Sequence, residues 1–390
     1  MDFSGNHNLT RSELDCLHAE FDRVLASPWR QRALLWRMHA NRISQSAYIL
    51  LRSYNIIPKI LKGVAAGLMG QSPTLRSLEL AVTYRCNAKC EQCSCRLEMD
   101  MERERKEHLT VDEYKNAIDQ AREMGAFQFL INGGEPMLGA DLVFDLIAYI
   151  KQNKQSYVHL CTNGYLLNQE RIDQLANLHL DSVEMGLDSA FPEIHDANRM
   201  PGSFQKIMES TDMFRKHGIL VIYNTVLTNQ KVQSDDILLT CQLAAKNGCL
   251  LQITPACLTG SYKNRLDLLL TDKTKLYFIW LLSKYWSNRS DLYSSLTNIR
   301  CPAAREKIGL QPYGDVVSCP LIQIPYGNIR HTPLREIQAK MLLNPYYHLK
   351  ETQGCLPSMS ETFIREYLLD PPHDCQTPPK QEHQTAEKGK

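Results

Sequence analysis

The sequence predicts an α/β protein built on a parallel sheet, open or partly closed into a barrel. Six short apolar runs between Leu78 and Thr254 alternate with amphipathic stretches of helical period, the signature of successive βα units. The 390 residues are 43% hydrophobic and 22% charged, enough apolar material for a large core. No run of about 18 apolar residues occurs, which excludes an ordinary membrane-spanning helix.

The N-terminal region, residues 1–77, reads as helical. Leu14, Leu17, Phe21 and Leu25 share one face of a helix over Ser12–Leu25. Ser27-Pro28 then reads as a cap with proline at the first helical position, opening a helix to about Tyr54. Between Pro28 and Ser77 there are eight Lys or Arg residues and no acid, interleaved with Trp29, Trp36 and a run of Ile and Leu. Such a segment can lie on an anionic membrane surface or bind an acidic partner. Alternatively, it packs on the following domain with a solvated basic face.

The βα core, residues 78–258, starts with the strand Leu78–Val82. It continues helix Asp112–Met124, strand Phe127–Asn132, helix Leu142–Lys151, strand Tyr157–Cys161 and helix Gln169–Leu178. Strand Ser182–Leu187, helix Phe204–Lys216, strand Leu220–Leu227, helix Asp235–Lys246 and strand Leu250–Thr254 complete it. Ligand chemistry in such folds collects at the carboxyl ends of the strands. An extension follows over 259–370, and the Pro-, Gln-, Lys- and Glu-rich tail, 371–390, reads as disordered.

Net charge is +1, from 44 basic and 43 acidic residues, which argues against nucleic acid as a partner. The N-terminus has no basic stretch followed by an apolar core, so no secretory signal is read there. Thirteen cysteines is an odd number, which fits reduced cytoplasmic thiols better than a secreted disulfide framework. Cys16, Cys161, Cys241 and Cys249 stand singly in apolar or helical context and read as small buried hydrophobes.

Cys86, Cys90 and Cys93 form C-x3-C-x2-C directly after the first strand. A compact loop can aim three thiolates at one point, as iron–sulfur clusters require, and three ligands leave one iron open. Cys95 is a further candidate, but one residue after Cys93 it is awkwardly placed. Zinc is the alternative, although no second C-x2-C pair or added histidine accompanies the triplet.

With these cysteines the strand ends together resemble the radical SAM superfamily. The second strand ends in Gly133-Gly134-Glu135-Pro136, the third in Thr162-Asn163-Gly164, and the fourth in Gly186-Leu187-Asp188 with His195-Asp196 and Arg199 following. The resemblance implies a partial (βα)6 TIM-type barrel holding a [4Fe-4S] cluster on Cys86, Cys90 and Cys93. It further implies S-adenosylmethionine held by Gly133, Gly134, Glu135, Pro136, Asn163 and Arg199, with the Glu135 carboxylate on the cofactor's ammonium. In that family the reduced cluster cleaves S-adenosylmethionine to a 5′-deoxyadenosyl radical that abstracts substrate hydrogen, with a flavodoxin or ferredoxin as electron donor. Two positions depart from the pattern. Gln92 stands where an aromatic is usual, and Gly186 where a serine is usual.

Cys301, twelve residues, Gly314, four residues and Cys319 form a second group. A turn at Tyr313-Gly314-Asp315 returns the chain so that both cysteines can face one cluster. Gly327-Asn328-Ile329 then reads as a turn and Leu334 as a helix start. The group resembles the SPASM or twitch extension, which implies one auxiliary [4Fe-4S] cluster with Cys355 as a further ligand and Cys375 as a poor candidate. Structural thiols or a zinc knuckle are the alternatives. Cys257, just past the sixth strand, reads either as a buried thiol or as an active-site group.

Three functions follow. The first is hydrogen abstraction from a small-molecule or lipid-linked biosynthetic intermediate, giving dehydrogenation, epimerisation or a related rearrangement. A cytoplasmic enzyme touching the inner face of the membrane weakly through residues 28–77 would suit it. The second is maturation of a ribosomally made peptide, ranked below because the N-terminal region lacks the strand triplet of a leader-binding module. The third is a non-catalytic iron–sulfur protein, which leaves the cofactor-binding elements unexplained.

Overall fold

A computed structural model describes residues 9–68, 74–290, 301–348 and 355–369. The tail 371–390, with Cys375, lies outside the described residues, as do residues 1–8. One ten-stranded sheet organises the chain, in the order β10-β9-β8-β1-β2-β3-β4-β5-β6-β7. Its strands are β1 Ser77–Ala81, β2 Gln128–Asn132, β3 Tyr157–Thr162, β4 Ser182–Gly186, β5 Leu220–Leu227, β6 Leu250–Pro255, β7 Asn288–Arg289, β8 Lys307–Leu310, β9 Asp315–Cys319 and β10 Ile322–Asn328. All pairs from β1 to β7 are parallel, and the sheet curls into a partial barrel.

Two of the connecting helices start on a side-chain cap that the sequence supplies. Thr110 and Glu113 form a reciprocal capping box at Val111–Glu123, and the Asn168 side chain accepts from the Arg171 N–H at Gln169–Asn177. These caps satisfy amide donors that the first turn leaves without partners. Period-two alternation sorts the strand residues. Leu78, Leu80, Phe129, Ile131, Val158, Leu160, Val183 and Met185 are fully buried in the main core. The alternate positions Glu79, Asn132, Glu184, Asn224, Gln252 and Thr254 line a cavity inside the barrel. The inner wall is therefore polar, which suits a ligand site rather than a filled core.

The N-terminal region is helical, as its spacing predicts: α1 Arg11–Leu25, α2 Pro28–Arg52 and α3 Ile57–Leu68. Phe21 of α1 meets the edge of Tyr277 with ring centroids 4.8 Å apart, on the helix Asp272–Lys284. Asn41 of α2 donates to the Leu282 and Ser283 carbonyls, and buried Gln45 donates to the Asn288 carbonyl at 2.8 Å. Ile49, Leu50, Ile56 and Ile60 pack on Phe127 and Tyr157, closing the amino-terminal end of the barrel. Packing on the core thus accounts for one face of α2. Trp29, Trp36, Ile43 and Leu51, at near-heptad spacing, remain 67%, 78%, 69% and 80% exposed.

The extension joins the sheet of the barrel. Strand β8 pairs in parallel with β1, and β9 and β10 follow antiparallel, so the extension continues the barrel sheet at its free edge. Gly314 forms the predicted turn with φ of +91°. Gly327 and Asn328, expected as a turn, end β10 instead, because Asn328 pairs with Asp315 across the hairpin. The expected helix start is at Leu334. Two of the single cysteines are not buried: Cys16 is exposed on α1, and Cys161 is half-buried and faces the lumen. Cys241 and Cys249 are buried as expected.

Candidate active site at the carboxyl ends of the strands

The loop after β1 carries Cys86, Cys90 and Cys93, and all three line one cavity of about 370 Å³. Cys86 is exposed, and Cys90 and Cys93 are half-buried. Neighbouring backbones fix the loop. The Cys93 amide donates to the Cys90 carbonyl, and the Ser261 amide donates to the Cys93 carbonyl at 3.2 Å. A Cβ on Gly260 would lie 2.1 Å from that same carbonyl oxygen, so the segment after β6 rests directly on the cysteine loop. Asn198 binds the loop from the other side: its Oδ1 accepts from the Glu91 amide and its Nδ2 donates to Gln92. Gln92, where an aromatic is usual, is thus a polar tether.

The turn after β2 approaches the β1 end closely. Gly134 N–H donates to Thr83 O and Glu135 N–H to Arg85 O, while a Cβ on Gly133 would stand 2.2 Å from the Thr83 carbonyl oxygen. Only glycine permits this approach. Gly133 and Gly134 line the cavity, and Pro136 is buried behind them. The Glu135 side chain lies behind the glycine wall of the cavity. It is fully buried, and its oxygens accept from the Met137 amide, the Thr162 hydroxyl and the Asn163 amide at 2.9, 2.6 and 2.7 Å. Burial raises its pKa against these three lowering bonds. Its geometry ties the β2 turn to the β3 end, leaving the glycine backbone at the cavity. Asn163 in turn donates to Asn87 Oδ1 at 2.7 Å and reaches Cys86 Sγ at 3.9 Å.

Arg199 holds Asp188 in a buried two-pronged pair, Nε to Oδ2 at 2.7 Å and Nη2 to Oδ1 at 2.9 Å. Burial opposes the Asp188 charge, yet Arg199 and then Lys231 keep its carboxyl below the usual carboxylate range. A Cβ on Gly186 would lie 2.1 Å from the Arg199 guanidinium. The serine-to-glycine departure therefore makes room for the arginine. The guanidinium lines the cavity and is electrostatically coupled to Cys90 and Cys86. His195 supports this corner, accepting from the Asp188 amide at 3.1 Å, and burial lowers its pKa to about 4.

Cys301, Cys319 and Cys355 are buried and line the same cavity from the extension side. Burial raises Cys301 to about 11 and Cys319 to about 12, and the Cys355 thiol lies well above its ordinary value through its hydrogen bond with Cys257 and burial. Lys307 acts oppositely on all three, and its Nζ stands 3.1 Å from Glu79 Oε1. The extension thiols are crowded and buried beside the Lys307 cation, and the loop thiols, exposed or half-buried, gather beside the Arg199 cation, donor sets that metal coordination would hold as thiolates. Among the described residues no histidine joins either group as a thiol partner. Both sets therefore fit thiolate-held iron–sulfur clusters, and the loop set, with three thiols beside a cavity, leaves room for an exchangeable ligand.

Sequence reasoning missed Asn198 and Lys307, which act through tertiary contacts and carry no local motif. Cys95 half-faces the cavity but packs with Tyr84 and Tyr313.

Comparison with known proteins agrees with this geometry. The radical SAM superfamily profile matches residues 80–240. Mycofactocin maturase MftC of Mycolicibacterium smegmatis is 28% identical over 286 residues, covering 69% of each chain. An AdoMet-dependent heme synthase of Nitratidesulfovibrio vulgaris is 32% identical over 173 residues, 44% of this chain and under half, 46%, of that protein. Among solved structures, Streptococcus suis SuiB bound to precursor peptide SuiA superposes with a TM-score of 0.56 at 13% identity, covering 75% of this chain and 69% of that one. AnSMEcpe with bound AdoMet and Kp18Cys peptide gives 0.55 at 17%, covering 73% and 91%. Members of this family use a [4Fe-4S] cluster and S-adenosylmethionine. With the matching profile over residues 80–240 and three loop cysteines at the mouth of a partial barrel, the chain carries a radical SAM region and is similar to enzymes of that superfamily.

Proposed function

We propose that this enzyme abstracts hydrogen from a peptide substrate held in the cavity between two cysteine-ligated iron–sulfur sites. One observation carries the reading: Cys86, Cys90 and Cys93 face the same cavity as Cys301, Cys319 and Cys355. When bound, the first cluster and S-adenosylmethionine supply a carbon radical that takes a substrate hydrogen. The chain's own residues bind and orient. The Gly133–Gly134 backbone and Asn163 form one wall of the cofactor site, and Arg199, steadied by Asp188, offers a cation to a cofactor carboxylate. Glu135 acts as a positioning residue for that wall. Lys307 offsets thiolate charge on the extension side, where an auxiliary cluster is held.

The peptide reading replaces the small-molecule reading in first place because of the similarity to a maturase over 69% of both chains. The small-molecule reading keeps one support: among the described residues no strand precedes β1, so no strand-built leader-binding module stands there. Anaerobic reconstitution with S-adenosylmethionine and dithionite tests the proposal. Peptides encoded beside the gene should accelerate 5′-deoxyadenosine formation and lose mass or change stereochemistry. Stimulation by small glycosyl or lipid-linked intermediates, with none by peptide, would overturn it.

The exposed stripe Trp29–Trp36–Ile43–Leu51 on an acid-free helix supports weak contact with an anionic membrane surface, at about 1 kcal/mol per nearby Lys or Arg. Among the described residues no helix is long and apolar enough to cross a membrane. Flotation with anionic liposomes should show binding at low salt that is lost at high salt. Protein that stays at the bottom of the gradient at low salt would exclude it.

A further inference from the structure

Four cysteines, not three, converge at the extension side of the cavity. Cys257 lies directly past β6, far from the extension in sequence, yet it is buried and lines the same cavity as Cys301, Cys319 and Cys355. Its thiol donates to the Pro255 carbonyl at 3.5 Å, and the Cys257 and Cys355 side chains pack together with Leu321 and Met359. Backbone bonds fix the four as two linked pairs. The Leu258 amide donates to the Pro357 carbonyl at 3.4 Å, joining the Cys257 and Cys355 segments. The Ala304 amide donates to the Ser318 carbonyl at 3.0 Å, joining the Cys301 and Cys319 segments. Cys355 is electrostatically coupled to Cys301 and Cys319 across the gap between the pairs.

Building on the proposed auxiliary cluster, we infer that Cys257 is its fourth ligand, so that the cluster is closed by four thiolates contributed by four separate segments. A closed shell has no open iron. Substrate then binds beside this cluster rather than to it, against the polar inner wall of the barrel. The two sites divide accordingly: the loop site keeps a coordination position for a small molecule, and the extension site exchanges only electrons.

The test uses the full-length chain carrying Cys86→Ala, Cys90→Ala and Cys93→Ala, which leaves only the extension site to load. After anaerobic reconstitution this protein should hold about four iron atoms per chain. Its dithionite-reduced electron paramagnetic resonance signal should not move when cyanide is added. Adding Cys257→Ala should lower the iron or make the signal cyanide-sensitive. Unchanged iron and an unchanged, cyanide-insensitive signal in the Cys257→Ala protein would overturn the inference, as would cyanide sensitivity with Cys257 present. Failure of the underlying reading looks different: adding Cys301→Ala and Cys319→Ala would then leave the iron content unaltered.

Discussion

The two cysteine sites differ in how the chain builds them. Cys86, Cys90 and Cys93 come from eight consecutive residues on one loop, half-exposed and tethered by Asn198 and the segment after β6. The extension site draws buried cysteines from separate segments, Cys301, Cys319 and Cys355 with Cys257 beside them, brought together because β8 pairs with β1 and Leu258 bonds the Cys355 segment. A local loop tolerates opening beside a cavity, as exchange of a bound cofactor demands. A site assembled from several segments is rigid and enclosed, and its integrity depends on the sheet edge. The comparison teaches that the same ligand chemistry can be made exchangeable or closed by topology alone.

The largest expected effect breaks the loop site alone. Cys90→Ala should abolish 5′-deoxyadenosine formation while the extension cluster's spectrum persists, measured on anaerobically reconstituted protein. Loss of both spectra together would mean that the two sites are not independent.

Next in size is Cys301→Ala with Cys319→Ala, which should remove about four iron atoms per chain and leave the loop cluster's signal in place. Iron unchanged from the native protein would return these residues to structural thiols.

Gly133→Ala sharpens the comparison at the cofactor wall. The added methyl meets the Thr83 carbonyl at 2.2 Å with φ at +143°, an overpacking that costs about 2 kcal/mol. S-adenosylmethionine affinity should fall by about tenfold or more, measured by equilibrium dialysis, with extension iron unaffected. Native affinity in this variant would remove the β2 turn from the cofactor site.

The smallest effect concerns acid. Burial lowers the His195 pKa to about 4 from an ordinary 6.5. Between these values the unfolded chain binds the proton and the folded chain does not, so stability rises with pH. The contribution of up to about 3 kcal/mol is full above pH 6.5 and lost as pH falls towards 4. The Asp188–Arg199 corner should therefore fail first, with S-adenosylmethionine binding declining below pH 6 before extension iron is released. His195→Gln should flatten that decline, and an unaltered pH profile would show that the histidine does not govern it.

Much of this was legible in the sequence, because periodicity and spacing are local. The six βα units, the C-x3-C-x2-C loop and the Gly314 hairpin all show themselves within short windows. Lys307 did not, and Cys257 stayed undecided between a buried thiol and an active-site group; only the joining of β8 to β1 and the packing of the Cys355 segment on the loop after β6 bring them in. The surroundings of Glu135 were hidden for a related reason. Its motif marks the turn correctly, but three hydrogen bonds turn its carboxylate into the protein. Gly186 stood in the sequence only as a departure from the usual serine, and the Arg199 guanidinium occupies the space a side chain would need.

Iron counting joined to electron paramagnetic resonance tests the two-site account most directly. Anaerobically reconstituted native protein should hold about eight iron atoms per chain, with two distinct reduced signals. The loop triple variant and the Cys301→Ala, Cys319→Ala variant should each hold about four and retain one signal, a different one in each. A native protein with about four iron atoms and a single signal, abolished by the loop substitutions and untouched by the extension substitutions, would contradict it.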